Sequence, residues 1–298
     1  MTYSAVGIGE LLWDIFPSGK VPGGAPANFA YHFNAFGGKG LIVSSLGSDP
    51  LGDEILKFLD TQPLTSKYIT VDTEHPTGTV TVDVGVEGEP SFTILENVAW
   101  DFIPHSRLLT ELGANIDAIC FGTLAQRSEV SRSTIQAFIE QAPRRTLRLF
   151  DINLRQAFYK REVIEWSLEA CNILKLNESE LQVLSHLFQM QGDEMTLLHD
   201  LSGRFNLEFI ALTKGAMGST IYNQKKVSVH DGFKTDVVDT VGSGDAFTAA
   251  LLLGILSDID LDTINDYANR LASYVCSKRG ATPPIPVELQ ITEWLSLG

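Results

Sequence analysis

Four short apolar segments, separated by helical patterns, constrain the fold of this chain more than any other feature. They are DAICFG, LRLFDIN, ILKLN and FIALTKG, and stretches such as SRSTIQAFIEQA and ESELQVLSHLF lie between them. Strands that alternate with helices in this way predict βαβ units, and therefore a parallel sheet with helices on both faces. Near the start of the chain, SAVGIG and LIVSSLG are predicted to add further strands to that sheet.

The segment TGTVTVDVGVEGEPSFTIL departs from this pattern, because polar and apolar residues alternate along it around the turn-prone EGEP. Such alternation predicts a half-exposed antiparallel hairpin. Together with ELLWDIFPSG it is predicted to form a small β lid, roughly over residues 11–22 and 77–100. A second hairpin is predicted in STIYNQKKVSVH. The whole chain, residues 1–298, is expected to form one α/β domain that carries this discontinuous lid.

Composition excludes several classes of protein. The chain has 298 residues and a formal charge of −15, which repels nucleic acid and anionic membranes, so neither is an expected partner. Its apolar runs are shorter than the roughly 18 residues that cross a bilayer, and no basic-then-apolar leader is found, so a cytoplasmic protein is expected. Three scattered cysteines without a C-x-x-C pair predict neither a disulfide framework nor a zinc knuckle.

Polar residues follow three of the predicted parallel strands, at the point where each strand ends. They are Asp151, Asn153 and Arg155 after LRLF, Asn177 after ILKL, and Thr213, Lys214 and Gly215 after FIAL. Open parallel sheets bind their ligands beyond the carboxyl ends of the strands, so a ligand site is predicted along this edge. The sequence contains neither a P-loop nor a complete dinucleotide fingerprint, and a phosphate group therefore needs another binding device here.

The stretch DTVGSGDAF offers such a device, because it leads directly into an almost wholly apolar helix. Gly242, Ser243 and Gly244 would let backbone N–H groups converge at the start of that helix, near Asp245. Unpaired donors and the helix dipole make such a terminus attractive to an anion. Asp245 would stay ionised there and could accept the proton of an attacking hydroxyl late in a phosphoryl transfer. A helix cap within a glycine turn is the structural alternative.

A second glycine-containing stretch, PGGAPANFAYHFNAFGG, also predicts a ligand site. Gly23 and Gly24 allow the backbone to approach a ligand closely, and Asn28, near the start of a helix, offers an amide donor and acceptor. Asp14 follows the first strand, where a carboxylate can accept two hydrogen bonds from a sugar. A glycine turn before an amphipathic helix, with a solvated Asp14, explains the same residues without a ligand.

Two further motifs have both a functional and a structural interpretation. NESE, residues 177–180, either caps a helix or helps to organise Mg²⁺ and its waters beside a triphosphate. TKGAMG, residues 213–218, either ends a strand in a glycine turn or lies beside nucleotide phosphates. The residues alone leave both pairs of alternatives open.

Taken in order, these motifs resemble those of the PfkB, or ribokinase-like, family of sugar kinases over nearly the whole chain. GGAPANFAYHFNAFGG is similar to the family's amino-terminal signature, and residues 239–245 match its carboxy-terminal signature D-T-x-G-A/S-G-D, with Ser243 where alanine is frequent. DINLR, TKGAMG and SKRGATPPIP fall at the positions expected between and after them. GELLWD, GGAPAN, DINLR and GATPPIP together look most similar to fructokinases.

The resemblance implies a ribokinase-like three-layer αβα sandwich with a mostly parallel central sheet and a small β-sheet lid. It implies that the γ-phosphoryl group of ATP is transferred to the primary hydroxyl of a small sugar. The favoured sugar is D-fructose, and the product is then fructose 6-phosphate. A kinase of ribose or 2-keto-3-deoxygluconate and a sugar-sensing regulator without turnover are the alternatives. The implied cofactors are ATP, Mg²⁺ and a monovalent cation such as K⁺. Exposed lid strands suggest a homodimer through the lid.

The resemblance also assigns roles to individual residues of this chain. The base would be Asp245, with an anion hole formed by Gly242, Ser243 and Gly244. The sugar would contact Asp14, Gly23, Gly24, Asn28 and Arg155. The nucleotide would contact Asn177, Thr213, Gly215, Gly218 and Asn269. Mg²⁺ would be held through water by Glu180, and the monovalent cation by Asp239, Val241 and Ala281.

Overall fold

The computed structural model of this chain describes residues 2–84 and 90–290. In this part of the chain the strands are β1 (Ser4–Ile8), β2 (Leu12–Phe16), β3 (Gly19–Gly23), β4 (Lys39–Gly47), β5 (Ile69–Asp72), β6 (Gly78–Val84), β7 (Pro90–Ile94), β8 (Ala118–Phe121), β9 (Leu147–Asp151), β10 (Ile173–Asn177), β11 (Phe209–Thr213), β12 (Ser219–Asn223) and β13 (Lys226–His230). The helices are α1 (Ala25–Ala35), α2 (Pro50–Asp60), α3 (Arg107–Gly113), α4 (Glu129–Gln141), α5 (Arg161–Ala170), α6 (Glu178–Phe188), α7 (Glu194–Phe205), α8 (Ser243–Leu256) and α9 (Leu261–Cys276).

Nine of these strands form the main sheet, in the order β13-β12-β11-β10-β9-β8-β1-β4-β5. Every neighbouring pair from β11 to β5 is parallel, as the βαβ pattern predicted. The predicted second hairpin is β12–β13, and it extends the same sheet by two antiparallel strands. Because the parallel strands run in one direction, their carboxyl ends all meet at a single edge of the sheet.

Helices cover both faces of this sheet, so that the molecule has three layers. Alternate side chains of a strand enter opposite buried clusters: Val6 and Ile8 of β1 pack with residues of α3–α7, whereas Ala5 packs with residues of α1, α2, α8 and α9. The first turn of α8 is partly accessible, but the helix is buried from Ala246 to Gly254, as expected for a helix that is apolar on all sides. The predicted αβα architecture is confirmed.

The other four strands form a small sheet in the order β3-β2-β6-β7. The predicted hairpin is β6–β7, and ELLWDIFPSG supplies β2, which lies parallel to β6 and antiparallel to β3. Trp100 is fully buried beneath this sheet, and a Cβ atom on Gly78 would overlap its indole nitrogen. Most of the EGEP turn, residues 87–89, lies outside the described residues, and its proline begins β7. Across residues 2–84 and 90–290, no helix is long and apolar enough to cross a membrane.

Candidate active site

Asp245 lies in the first turn of α8, at the carboxyl edge of the main sheet. The helix begins at Ser243, slightly earlier than the sequence indicated, and Gly242 precedes it with a φ of 78°. A Cβ atom on Gly242 would overlap the backbone of Ala281, so this left-handed and crowded position requires glycine. The N–H groups of the first turn have no acceptor within an α-helix. The Ser243 N–H donates to the Thr240 carbonyl over 3.4 Å, and the anion site that DTVGSGDAF predicts at the start of α8 stays a prediction.

Asn28 connects the two glycine-containing stretches of the sequence. It lies on α1, which packs against α8, and its Nδ2 atom donates a hydrogen bond to Oδ2 of Asp245 over 2.8 Å. The role of Asn28 in binding the sugar stays a prediction, and in the structure its amide nitrogen contacts the predicted base. This contact orients the Asp245 carboxylate with respect to α1.

The pKa of Asp245 is higher than its position at a helix amino terminus suggests. Burial, and next the negative charge of Asp151, raise the pKa of Asp245 to about 6. The hydrogen bond from Asn28 and the positive charges of Lys175 and Arg155 act in the opposite direction. Asp245 is therefore mostly ionised at pH 7, as expected, but it is a stronger base than an ordinary aspartate.

Lys175, which the sequence analysis did not single out, lies directly behind the start of α8. Its Nζ atom is 3.1 Å from both carboxylate oxygens of Asp151 and 3.2 Å from the position of a Cβ atom on Gly244. Thr248 completes the cluster, since its hydroxyl is 2.9 Å from Asp151 Oδ2 and 2.8 Å from the Gly244 carbonyl oxygen. A lysine within the apolar strand ILKLN was the available signal, because a buried cation requires a partner.

The charge of Lys175 is stabilised by the acids around it. Burial would lower its pKa, but the negative charges of Asp151, Glu180 and Asp245 outweigh burial and raise it. Lys175 is therefore a cation in the folded protein. It places one positive charge behind the N–H groups at the start of α8, where an anion would bind.

Asp14 and Gly23 lie on the neighbouring strands β2 and β3, where Asp14 pairs with Val21 and Gly23 pairs with Leu12. A Cβ atom on Gly23 would overlap the Asp14 carboxylate, so glycine leaves the space that this carboxylate occupies. Burial raises the pKa of Asp14 to about 6, Arg155 lowers it and Asp239 raises it. The charges of Arg155 and Asp239 thus act on Asp14, although the three residues are distant in the sequence.

Glu10 is a second residue that the sequence analysis missed. It follows β1 in GIGE, is only 4% exposed, and lines a small cavity together with Asp151, Asn153 and Asp245. Burial raises its pKa to about 7, the charge of Asp245 also raises it, and nearby N–H groups and Arg155 lower it. An acidic residue directly after a buried strand was the signal in the sequence. A Cβ atom on Gly24, whose φ is 111°, would overlap the Glu10 carbonyl oxygen.

The three residues predicted to hold a monovalent cation lie together beside Gly242. Asp239 accepts hydrogen bonds from the N–H groups of Val241 and Gly280, each over 3.0 Å. The Ala281 carbonyl oxygen is 2.8 Å from Nε2 of the buried His32, whose pKa burial lowers to about 4. Among the described residues, no group of three or more His, Cys, Asp or Glu side chains is arranged to hold a metal ion.

Asn177 and Glu180 form the capping box that was one interpretation of NESE. Asn177 Oδ1 accepts from the Glu180 N–H over 2.9 Å, and Glu180 Oε2 accepts from the Asn177 N–H over 2.8 Å. The other carboxylate oxygen of Glu180 accepts from the Leu154 N–H. Both oxygens thus have protein donors, which fits binding of Mg²⁺ through a water molecule better than direct coordination.

The residues predicted to contact the nucleotide lie at the end of β11. Thr213 pairs with Ser219 in the sheet, and Asn269 donates to the Ser219 hydroxyl over 2.7 Å. Gly215 and Gly218 have φ values of 56° and 80°, and a Cβ atom on Gly218 would overlap the backbone of the β13 end. This part of the site consists of backbone groups, a hydroxyl and an amide.

Comparison with known proteins identifies the family. A model of the pfkB family of carbohydrate kinases matches residues 17–288. The chain belongs to this family. Among similar proteins, the fructokinase of Escherichia coli is 27% identical over 302 residues, which cover 95% of this chain and 96% of that protein. The fructokinase of Solanum tuberosum is 29% identical over 320 residues, covering 98% of this chain and 96% of that protein.

Solved structures of similar proteins share the fold. The complex of an uncharacterized sugar kinase from Pyrococcus horikoshii with ATP has a TM-score of 0.80 and 28% identity over 94% of both chains. A double mutant of the Vibrio cholerae fructokinase, bound to fructose, ADP and potassium, has a TM-score of 0.78 and 22% identity over 96% of both chains. The 2-dehydro-3-deoxygluconokinase of Thermotoga maritima has a TM-score of 0.84 and 17% identity, covering 99% of this chain and 100% of that one. The chain is thus a pfkB-family sugar phosphotransferase with a ribokinase-like fold.

Proposed function

We propose that this sugar kinase transfers the γ-phosphoryl group of ATP to D-fructose and produces fructose 6-phosphate. The observation that carries the proposal is the environment of Asp245, which accepts a hydrogen bond from Asn28 in the first turn of α8, where helical N–H groups lack acceptors within the helix. Such an arrangement can hold a phosphoryl group and orient a hydroxyl toward it. The relatives called fructokinases, similar over nearly the whole chain, support fructose as the acceptor.

In this mechanism Asp245 receives the proton of the attacking hydroxyl late in the reaction. With an Asp245 pKa of about 6, an alcohol is weaker as an acid by about 10 pKa units, or roughly 14 kcal/mol. Complete removal of the proton before attack is therefore too costly. Asp245 chiefly orients the nucleophile, and the proton moves to its carboxylate as the bond to phosphorus forms.

The negative charge that spreads over the phosphoryl group is stabilised by donors fixed in advance. The N–H groups around Gly242, Ser243 and Gly244 act on that charge, and each donor of this kind contributes about 3–4 kcal/mol. Lys175 adds a positive charge behind them. These donors offset locally a chain charge of −15 that repels ATP.

Thr213, Gly215, Gly218 and Asn269 would contact the nucleotide, and Asn177 would lie beside its phosphates. Glu180 would hold Mg²⁺ through water, and Asp239, Val241 and Ala281 would hold K⁺. When bound, these cations neutralise phosphate charge. The small sheet would act as a lid that excludes water, a competing acceptor. A single domain, a homodimer through the edges of the small sheet and a cytoplasmic location belong to the same proposal.

The charges around the acceptor position favour a neutral sugar over a sugar acid. Glu10, Asp14 and Asp245 bring three carboxyl groups to this region, and Arg155 is the cation that influences all of them. A carboxylate on the acceptor would meet repulsion from these groups. These carboxyl groups disfavour 2-keto-3-deoxygluconate, whereas fructose and ribose are both neutral and escape this repulsion.

A coupled assay of ADP release with D-fructose, D-ribose and 2-keto-3-deoxygluconate tests the proposal. We expect the highest kcat/KM with fructose, and the product should be fructose 6-phosphate. Higher turnover with ribose or with the sugar acid would show that this compound, and not fructose, is the acceptor. Sugar binding without ATP consumption would instead support the sensing role.

A further inference from the structure

A cavity of about 280 Å³ lies beside the proposed active site. It is bounded by the segment after β7 and by the loops that follow β8 and β9, and its lining includes Glu96, Asn97, Gln126, Arg127, Tyr159 and Lys160. None of the described residues assigned above to the sugar, ATP or cations lines it. Its volume is close to the lower end of the range for small-molecule sites, about 300–1,000 Å³.

Arg127 holds the wall of this cavity in place. Its guanidinium donates to both carboxylate oxygens of Asp101 over 2.8 Å and to the Leu95 carbonyl oxygen over 2.6 Å. The same group lies 4.1 Å from the ring centre of Trp100 and 4.7 Å from that of Phe158. A bidentate ion pair between two aromatic rings leaves the guanidinium little freedom. The cavity is therefore preformed.

Two buried polar atoms of this wall lack a hydrogen-bond partner among the described residues. They are Oε1 of Gln126, an acceptor, and Nη1 of Arg127, a donor. The amide nitrogen of Gln126, by contrast, donates to the Gly122 carbonyl and the Ser167 hydroxyl. An unpaired buried polar atom costs about 1–3 kcal/mol, so it usually has a ligand or water as its partner. Both atoms are closed to solvent, so a hydroxyl group in the cavity could donate to one and accept from the other once these side chains turn slightly toward it.

The rest of the lining fits a neutral, hydroxyl-rich ligand better than an anion or a lipid. Glu96 and Lys160 carry opposite charges, and Asp101 compensates the charge of Arg127. Without a net positive charge, the cavity does not favour an anion. The rings of Phe158 and Tyr159 offer apolar surface, and the amides and hydroxyls offer hydrogen bonds. This combination suits the C–H faces and hydroxyl groups of a carbohydrate.

We propose that this cavity is a second carbohydrate-binding subsite. Thr123 lines both this cavity and the small cavity that contains Glu10 and Asp245, so the two are adjacent. The bound carbohydrate is either the far part of an acceptor longer than a monosaccharide or a separate sugar molecule. The first source rests on the proposed function, whereas the second requires only that the chain binds sugar.

Two variants that fill the cavity, each with a matched control, test this proposal. Ser128 lines the cavity and precedes α4 without a side-chain capping bond, so Ser128→Phe should occupy the space while Ser128→Ala leaves it open. Ala157 is exposed at the cavity, so Ala157→Trp can fill it with little risk to folding, with Ala157→Ser as control. Calorimetry with D-fructose and with D-ribose gives the number of sugars bound per chain. ADP release with D-fructose and with sucrose, whose fructosyl C6 hydroxyl is free, gives turnover.

Turnover of sucrose that falls at least tenfold in Ser128→Phe and Ala157→Trp, with fructose turnover unchanged, supports an extended acceptor. Two sugars bound per chain, reduced to one in both filled variants, support a separate sugar molecule. One sugar per chain in every protein, with no sucrose turnover, overturns the subsite. Absence of fructose turnover in the unmodified chain overturns the proposed acceptor instead, and the binding stoichiometry still decides the subsite.

Discussion

The proposed site has two halves that are built differently. The charged half consists of Glu10, Asp14, Asp151, Lys175 and Asp245, and three of its carboxyl groups have pKa values raised to between about 6 and about 7. The neutral half consists of Thr213, Gly215, Gly218 and Asn269. In the neutral half, the shape of the backbone and a chain of neutral hydrogen bonds position the groups.

This difference follows from what each half is proposed to do. A group that takes a proton needs a tuned pKa, and burial with a few charges is how a folded protein supplies one. A nucleotide pocket needs a fixed shape, which glycines in left-handed conformations can supply. Substitutions in the charged half should therefore change rates, pH profiles and stability together, and those in the neutral half should act mainly on ATP binding.

Asp245→Asn should have the largest effect on the charged half. The amide keeps the shape and can still accept the hydrogen bond from Asn28, but it cannot take a proton. We expect kcat to fall by about 10²–10⁴-fold, the usual contribution of a general base, with little change in the KM for ATP. The coupled assay measures both constants, and urea unfolding checks that the fold is intact. A fall of less than tenfold would remove Asp245 from the role of base.

Lys175→Met should destabilise the protein and alter its pH profile. The side chains of Lys175 and Asp151 are only 10% and 7% exposed. Removing the cation leaves a buried carboxylate unpaired, which costs about 3–5 kcal/mol of unfolding free energy. It also removes a charge that lowers the pKa of Asp245, so the acid limb of the kcat/KM profile should move to higher pH.

The matched control for Lys175→Met is Lys214→Met, at a residue that lies beside the neutral half. Lys214 lies 2.8 Å from Glu194, with side chains 18% and 34% exposed. Because water screens such a pair, Lys214→Met should cost less than about 1 kcal/mol and leave the pH profile unchanged. Adding Asp151→Asn to Lys175→Met should recover part of the lost stability. Equal losses of unfolding free energy in Lys175→Met and Lys214→Met would contradict the proposed difference between the two halves.

Glu10→Gln should stabilise the protein at alkaline pH. Burial raises the Glu10 pKa from an ordinary 4.5 to about 7. Between these values the folded state binds more protons than the unfolded state, so stability falls as pH rises through this range. Glu10→Gln has no carboxyl group that ionises. We therefore expect its free energy of unfolding to exceed that of the unmodified chain by about 3 kcal/mol at pH 8 and to equal it at pH 4. Urea unfolding at both pH values measures it, and equal gains would exclude titration of Glu10 as the cause.

Local patterns predicted most of the fold. Most of the parallel strands, and α8, are continuous apolar segments, and each carries its own signal. By contrast, β5 was not predicted, because two of its four residues are exposed and only pairing with β4 makes it a strand. The helix α2, which starts at Pro50 behind the Asp49 cap, was also missed, although its capping signal lay in the sequence.

The same distinction explains which parts of the candidate site were predicted. Gly242, Ser243, Gly244 and Asp245 are consecutive in a motif, so the sequence already brings them together. The ion pair between Lys175 and Asp151 joins residues on different strands and could not be derived from either segment alone. The sequence did not show that Asn28 contacts Asp245, since that bond depends on the packing of α1 against α8.

Gly215→Ala should have the smallest effect, and Gly203→Ala in α7 is its control. A Cβ atom meets nothing within 4 Å at either position, but Gly215 has a φ of 56°. Alanine in that conformation costs about 1 kcal/mol, whereas in a helix it gains about 0.5–1 kcal/mol over glycine. Gly215→Ala should raise the KM for ATP a few-fold and leave the pH profile unchanged. If both variants gained stability equally and neither altered that KM, the backbone shape at Gly215 would have no part in binding ATP.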